Sequence, residues 1–114
     1  MRSNADRLVD ITQSIAKIEW LLAGGKNVFD EDEAIQERVV YHFQIIGEAA
    51  NGISREMLAH YPDVSWPEVV GLRNILIHHY WEIDFETVWS ISQTTLPVLK
   101  QTVERMVSEL QAEL

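Results

Sequence analysis

Residues 8–22 read LVDITQSIAKIEWLL, a segment whose apolar side chains recur at the spacing of an α-helix. Steps of three and four place five of them on one helical face: Leu8, Ile11, Ile15, Ile18 and Leu22. Ser3 or Asn4 can cap this helix, and Gly24-Gly25 ends it. The segment therefore predicts an amphipathic helix that packs on its neighbours through one apolar stripe.

The same spacing recurs downstream. Asp30 opens a predicted second helix, which Asn51-Gly52 closes. Its inward face carries Ile35, Val39, Phe43, Ile46 and Ala50. Gly47 lies inside this pattern and costs about 1 kcal/mol against alanine unless a neighbouring helix packs closely there. Ser54 then caps a short helix that ends near Tyr61.

Two further helices complete the prediction. Ser65 and Glu68 form a capping box, with Pro67 in the first turn, and the helix they open ends near Tyr80-Trp81. Asp84 caps a last helix, in which Pro97 predicts a kink. We therefore expect an all-α fold in a single domain over residues 1–114. Its architecture is an antiparallel bundle of four principal helices plus a short connecting helix.

Composition restricts the class of protein. The net charge is −9, and residues 56–99 contain a single basic residue, Arg73, which argues against a broad phosphate-binding patch. The absence of cysteine excludes disulfides and thiolate zinc sites and is typical of a reducing compartment. No signal peptide and no membrane-spanning stretch is apparent, so we expect a cytoplasmic protein.

The acidic run at residues 30–33 lacks the ligand spacing of a calcium loop, and carboxylates suit a first helical turn in any case. We expect no metal and no cofactor.

Residues 73–80 read RNILIHHY and carry the candidate chemistry. On a wheel of 100° per residue Arg73 and Tyr80 share a face, while Asn74 and His78 pair at positions i and i+4. Apolar residues fill most of the remaining circumference over residues 69–77, which predicts burial against a second copy of the chain. Arg73 should then be partly buried beside an anionic partner.

These residue types suit phosphodiester chemistry. A guanidinium binds phosphate oxygens bidentately, and an imidazole serves as general acid or base near neutral pH. RNA supplies its own 2′-hydroxyl nucleophile, so cleavage needs no metal, and a two-fold dimer provides two copies of His78. Taken singly, each residue also has a structural interpretation: His78 as an interfacial histidine, Arg73 in an ion pair and Tyr80 as helix-end packing.

The pattern Arg73-x4-His78-x-Tyr80 resembles the motif of the HEPN superfamily, in its HepT-like branch of bacterial toxins. The resemblance extends to Ile46-Gly47-Glu48-Ala49 in the second helix, to Ser65-Trp66 before the motif and to Leu96-Pro97 in the last helix. It covers roughly residues 5 to 110 and supports an HEPN-like fold.

This resemblance implies a homodimer in which Arg73 and His78 of both protomers line an interfacial cleft. It implies a metal-independent ribonuclease toxin that acts on transfer RNA or messenger RNA, within a type VII-like toxin–antitoxin system. The antitoxin would be a minimal nucleotidyltransferase that attaches AMP to Tyr80. Asn74 and Glu48 are accessory candidates, and Glu48 equally fits a structural partner for Arg73.

Two other classes of function stay open. The first is a non-catalytic helical dimer that binds a nucleotide or docks a nucleotidyltransferase, and the second is a plain dimerisation unit. A nucleotidyltransferase gene beside this one would count against the second.

Overall fold

The computed structural model describes residues 2–75 and 82–113, and within these ranges the chain folds into helices without strands. The elements are α1 (Asn4–Leu21), α2 (Lys26–Glu31), α3 (Glu33–Gly52), α4 (Arg55–Ala59), α5 (Trp66–Gly71) and α6 (Phe85–Ala112). The predicted all-α class is confirmed. In the described part of the chain, no helix is both long and apolar enough to cross a membrane.

The pair α1 and α3 forms the centre of the molecule. The helices are antiparallel, since Asn4 lies beside Ser54 and Ser14 beside His42. The predicted stripe of α1 is buried except for Leu22, which is half-buried. Ser3 caps α1 in a full capping box with Asp6, where the backbone and side chain of Ser3 hold the pKa of the carboxyl below its usual value. Local sequence signals and burial therefore agree in α1.

The start of the second long helix differs from the prediction. Asp30 belongs to α2, where it accepts a 2.7 Å hydrogen bond from Lys26, and Asp32 caps α3 by accepting from the backbone of Ile35 at 3.1 Å. Phe29, which is fully buried, holds α2 against the core. The acidic run is thus divided between the end of one helix and the cap of the next.

The caps further along the chain agree with the sequence in two cases out of three. Ser54 accepts from the backbone of Met57 at 3.3 Å, and Asp84 accepts from the backbone of Glu86 at 3.0 Å. The capping box predicted at Ser65 is wrong, because the Ser65 side chain makes no cap hydrogen bond. Pro67 lies in the first turn as predicted, and it removes one of the backbone donors that such a cap uses.

Helix α6 closes the bundle. It has 28 residues, about 42 Å at 1.5 Å per residue, against a longest molecular extent of 45 Å. Its inner face buries Val88, Leu96, Leu99, Val103 and Met106. Pro97 lies within the helix, and the kink expected there stays a prediction.

A buried polar pair lies between α1 and α3. Ser14 and His42 are both almost inaccessible, and Ser14 Oγ is 3.2 Å from His42 Nδ1. Burial lowers the pKa of His42 from 6.5, with smaller contributions from the positive charges of Arg38 and Lys17. The folded state therefore favours the neutral imidazole.

This pair predicts how stability depends on pH. The unfolded chain takes up a proton on His42 near pH 6.5 and the folded chain only at lower pH, so the contribution of His42 is fully present above 6.5. It is lost as the pH falls from 6.5 through the folded-state pKa. Urea unfolding between pH 7.5 and 5.5 should show stability falling in the wild type and a shallower decline in His42→Gln.

The matched control is His60→Gln, which removes an exposed histidine and should keep the wild-type decline. Equal slopes for wild type and His42→Gln would contradict the assignment.

Candidate functional site

Helix α3 approaches the end of α5 closely at Gly47. A β-carbon built on Gly47 would lie 2.5 Å from the backbone nitrogen of Arg73 and 3.0 Å from the carbonyl oxygen of Val69. No larger residue fits there without a shift of the backbone. The close neighbour that can justify a glycine in mid-helix is thus present, and the contact places the Arg73 backbone directly against α3.

The backbone at this contact is not a continuous α-helix. Helix α5 ends at Gly71, and the amides of Leu72, Arg73 and Ile75 each bond the carbonyl three residues before them, at 3.1–3.3 Å. Such i→i−3 bonds wind the chain more tightly than an α-helix. The uninterrupted helix predicted over the motif is therefore wrong at residues 72–73. A wheel of 100° per residue therefore does not hold across residues 72–73.

The residues of this segment explain the break. Gly71 costs helix stability, and a β-carbon at Gly71 would meet nothing within 4 Å, so packing does not compensate. The preceding Val69 and Val70 are β-branched and add to the cost. The described residues thus contain three long helices and three short ones, and of the fourth principal helix, predicted over the motif, they include the beginning, α5.

Arg73 is half-buried, as predicted. The anionic partner predicted for it is not found, because no carboxylate in residues 2–75 and 82–113 forms an ion pair with its guanidinium. Within the same ranges its side chain makes no hydrogen bond. The site thus holds a partly desolvated cation that the described carboxylates leave unpaired.

The two accessory candidates lie close by in the chain. Glu48 follows Gly47 on α3 and is exposed, and Asn74 follows Arg73 and is exposed. Glu48 does not pair with Arg73, so the structural interpretation of this glutamate finds no support among the described contacts. The Gly47 contact therefore brings the chain segments of Glu48, Arg73 and Asn74 together.

His78 and Tyr80 lie in residues 76–81, outside the residues that the structure describes. Their predicted relations to Asn74 and Arg73 stay predictions.

An open groove of about 520 Å³ lies between the end of α5 and the first turns of α6. Its apolar wall consists of Leu72, Ile75, Ile83, Val88 and Ile91. Three acidic residues, Glu68, Glu82 and Asp84, line the same groove. A surface that combines apolar and acidic groups suits a protein partner better than the phosphates of RNA. Sequence reasoning missed this groove, because periodicity shows which residues are apolar and not which of them stay open.

Metal ligation finds no geometric support in the part of the chain that is described. No three His, Asp or Glu side chains there are arranged to hold a metal ion. Asp30 and Asp32 of the acidic run make the lysine and cap contacts given above.

Fold and site together define a class of protein. It is a small all-α bundle in which a short helix contacts a glycine of the neighbouring helix, and the arginine at this contact has no ion-pair partner among the described residues. A family model described as "Ribonuclease HepT-like" matches residues 11–106. This chain belongs to the HepT-like family, and the resemblance inferred from its motifs is confirmed.

Individual relatives agree with this assignment. "Putative RNase MJ1380" of Methanocaldococcus jannaschii is 41% identical over 98 residues, which are 85% of this chain and 90% of that protein. "Probable ribonuclease HepT" of Thermococcus cleftensis is 31% identical over 108 residues, 92% of this chain and 96% of the relative. No solved structure shows significant similarity to this chain.

The contact at Gly47 yields a test of the site. In Gly47→Ala the new methyl group meets the Arg73 backbone, which cannot move aside as a flexible side chain can. We expect a loss of about 1–3 kcal/mol in the free energy of unfolding, although alanine is the better helix former. Chemical denaturation measures it.

The control is Gly71→Ala, where the added methyl group meets nothing within 4 Å. This variant should be neutral or up to about 1 kcal/mol more stable than wild type. A Gly47→Ala protein as stable as Gly71→Ala would mean that the two segments are not in close contact.

Proposed function

We propose that this chain, as a single domain over residues 1–114, is a metal-independent endoribonuclease toxin of a type VII-like toxin–antitoxin system. It acts as a homodimer on transfer RNA or messenger RNA, with Arg73 and His78 as catalytic residues. The observation that carries the proposal is the half-buried Arg73 of a HepT-like chain, which has no ion-pair partner among the described carboxylates.

An anionic substrate is the simplest partner for this cation. A partly desolvated guanidinium is costly when it is unpaired, and an arriving phosphate supplies the missing charge and two acceptor oxygens. The chain carries 18 Asp and Glu residues and nine Lys and Arg residues. Because no described carboxylate pairs with the Arg73 guanidinium despite this excess of acids, the guanidinium is available to bind a phosphate. The names of the two relatives above support RNA as the source of the phosphate.

The proposed reaction transfers the phosphoryl group within the RNA. One imidazole removes the proton of the 2′-hydroxyl, and the 2′-oxygen attacks the phosphorus as the bond to the 5′-oxygen breaks. A second, protonated imidazole gives its proton to that 5′-oxygen, which leaves a cyclic phosphate and a 5′-hydroxyl. Arg73 stabilises the charge that grows on the non-bridging oxygens.

The need for both an acid and a base supports the homodimer, because each protomer contributes one His78. Two of the apolar residues from which the sequence predicts a dimer interface do not need a second copy of the chain. Val69 and Leu72 are already buried inside their own chain and demand no cover from a second copy. Ile75, Ile83 and Ile91, which are only half-buried on the wall of the groove between α5 and α6, support a partner protein instead, and we propose the second protomer as the occupant of that groove.

Control of the toxin is proposed to act at Tyr80, through a minimal nucleotidyltransferase antitoxin. An attached AMP brings one phosphodiester charge and a nucleotide that resembles part of the substrate. Arg73 attracts that phosphate, and the adenylate occupies the space that the scissile group needs. The support for Tyr80 is its place in the family motif, two residues after His78.

The acidic groove also favours a second candidate function. Its carboxylates oppose RNA, and an apolar groove between two helices is equally suited to dock a nucleotidyltransferase without catalysis by this chain. A non-catalytic dimer of this kind, with a nucleotide held by Arg73, predicts no cleavage by the wild type.

Substitution of the two catalytic candidates tests the proposed chemistry. Arg73→Ala removes the side chain that binds the phosphate, and His78→Ala removes the general acid and base. We therefore expect each to lower cleavage of transfer RNA or messenger RNA by about 10²- to 10⁴-fold. Wild-type cleavage should persist in EDTA, because the 2′-hydroxyl replaces a metal-activated water. Gel analysis of end-labelled RNA measures both effects.

The matched controls are Arg55→Ala and His60→Ala, which remove the same residue types from exposed positions outside the motif. Both should cleave as the wild type does, and light scattering should show dimers throughout. Equal cleavage by wild type and His78→Ala would assign the activity to another site or a contaminant, and a monomer would contradict the composite site.

The tyrosine proposal has its own test. After co-expression with the neighbouring nucleotidyltransferase, mass spectrometry should find adducts in multiples of AMP on the peptide that contains Tyr80. Tyr80→Phe should escape both the adduct and the neutralisation in a growth assay. Tyr41→Phe, which alters an exposed tyrosine on α3, is the control and should remain fully neutralised. Adducts mapped elsewhere would refute the assignment.

A further inference from the structure

The cations of this chain fall into two groups. Four of the nine Lys and Arg residues form ion pairs with carboxylates: Arg2, Lys26, Lys100 and Arg105. Among residues 2–75 and 82–113 the remaining five make no such pair: Arg7, Lys17, Arg38, Arg55 and Arg73. In a chain with twice as many acids as bases, an external polyanion is held most readily where unpaired cations lie close together.

Two of the unpaired cations, Lys17 and Arg38, are brought together by the antiparallel packing of α1 and α3. Ser14 Oγ lies 3.2 Å from His42 Nδ1, and Lys17 follows Ser14 by about one turn of α1 as Arg38 precedes His42 by about one turn of α3. The two cations therefore lie at the same level of the helix pair, and the positive charge of each lowers the pKa of His42. Both side chains are exposed. Glu37, the neighbour of Arg38 in the chain, makes no ion pair with it among the described contacts. The result is a local positive surface on an acidic protein.

Exposed aromatic rings accompany both cations. Trp20 follows Lys17 by one turn of α1 and is 76% exposed, and Tyr41 follows Arg38 by one turn of α3 and is 46% exposed. The Arg38 guanidinium carbon lies 5.5 Å from the centre of the Tyr41 ring. That ring meets the edge of His42, with the two centres 5.2 Å apart. Cations interleaved with open aromatic faces are the usual platform for single-stranded nucleic acid.

We propose that Lys17, Trp20, Arg38 and Tyr41, here called the α1–α3 surface, bind a single-stranded segment of the RNA outside the cleavage position. The inference rests on the proposed ribonuclease function and adds to it a docking surface distinct from Arg73 and His78. Lys17 and Arg38 contact phosphates, and bases stack on the exposed rings of Trp20 and Tyr41.

The position of the surface is compatible with one RNA that occupies both places. Tyr41 precedes Gly47, the contact point of Arg73, by six residues, which is about 9 Å along α3 and a third of a turn around it. A few nucleotides span such a distance. The groove between α5 and α6 is lined by acidic residues and contains no basic residue among its described lining, so charge favours RNA at the α1–α3 surface and protein at the groove.

Binding is tested with a fluorescein-labelled 2′-O-methyl oligoribonucleotide, which the proposed chemistry cannot cleave, followed by anisotropy. The double variant Lys17→Gln/Arg38→Gln should bind about tenfold more weakly than wild type. The slope of log affinity against log salt should fall by about 1.4, since each lost phosphate contact on a single strand contributes about 0.7. Trp20→Ala should weaken binding about fivefold or more, with the salt slope unchanged.

The matched control is Lys26→Gln/Lys100→Gln, which removes the same charge from ion-paired positions. It should retain the wild-type salt slope and most of the affinity. On cleavable RNA, the Lys17/Arg38 variant should raise KM and leave kcat unchanged, whereas loss of Arg73 or His78 lowers kcat.

Equal affinities of the two double variants for the oligoribonucleotide would refute the α1–α3 surface as an RNA-binding site. This conclusion would hold even if cleavage by the wild type, and its loss in His78→Ala, confirmed the ribonuclease function. Normal binding of the oligoribonucleotide without any cleavage of RNA by the wild type would refute the proposed ribonuclease function and would still support the RNA-binding surface. Loss of dimerisation or of nucleotidyltransferase binding in the Lys17/Arg38 variant, with RNA affinity intact, would assign the surface to a protein and refute the proposal.

Discussion

The contact between Gly47 and the backbone of Arg73 constrains the site more than any other described interaction. An α-helix normally keeps its neighbours at a distance set by side chains, and glycine removes that spacing over one residue. Helix α3 can therefore touch the tightened turn after α5, and the guanidinium starts from a backbone pressed against the bundle. A cation placed in this way is half-buried, and no carboxylate in the described ranges forms an ion pair with it.

This constraint shows why the fold was predictable in its long elements and not in its short ones. Helices α1, α3 and α6 each present a sustained apolar stripe, and burial of that stripe dominates their stability. Helix α2 has six residues, of which Phe29 is buried, and six residues are too few for a helical periodicity to be recognised in the sequence. Strong local signals such as Ser3 and Asp84 were correct because a cap needs only residues within one turn.

The site was predictable in residue identity and less so in geometry. The sequence marked Gly47 as costly unless a neighbouring helix packs closely there, and the contact with the Arg73 backbone supplies that neighbour. The break at residues 72–73 was missed, because the wheel assumed that Gly71 and two valines would continue an α-helix. Leu72 and Val69 looked available for a dimer, yet their burial is intramolecular, and sequence periodicity cannot separate a core face from an interface.

Charge distribution connects the parts of the molecule. A net charge of −9 repels nucleic acid at long range, so any RNA partner must be held where acids are absent rather than by the whole surface. The structure meets that condition because carboxylates pair with four cations, while the other five form no ion pair within residues 2–75 and 82–113. Lys17 and Arg38 lie together at one such place, and Arg73 lies at another, beside Gly47. Two local positive sites on an otherwise acidic protein favour a partner that contacts both sites over a partner attracted by the overall charge. The partner is therefore selected by its shape as well as by its charge.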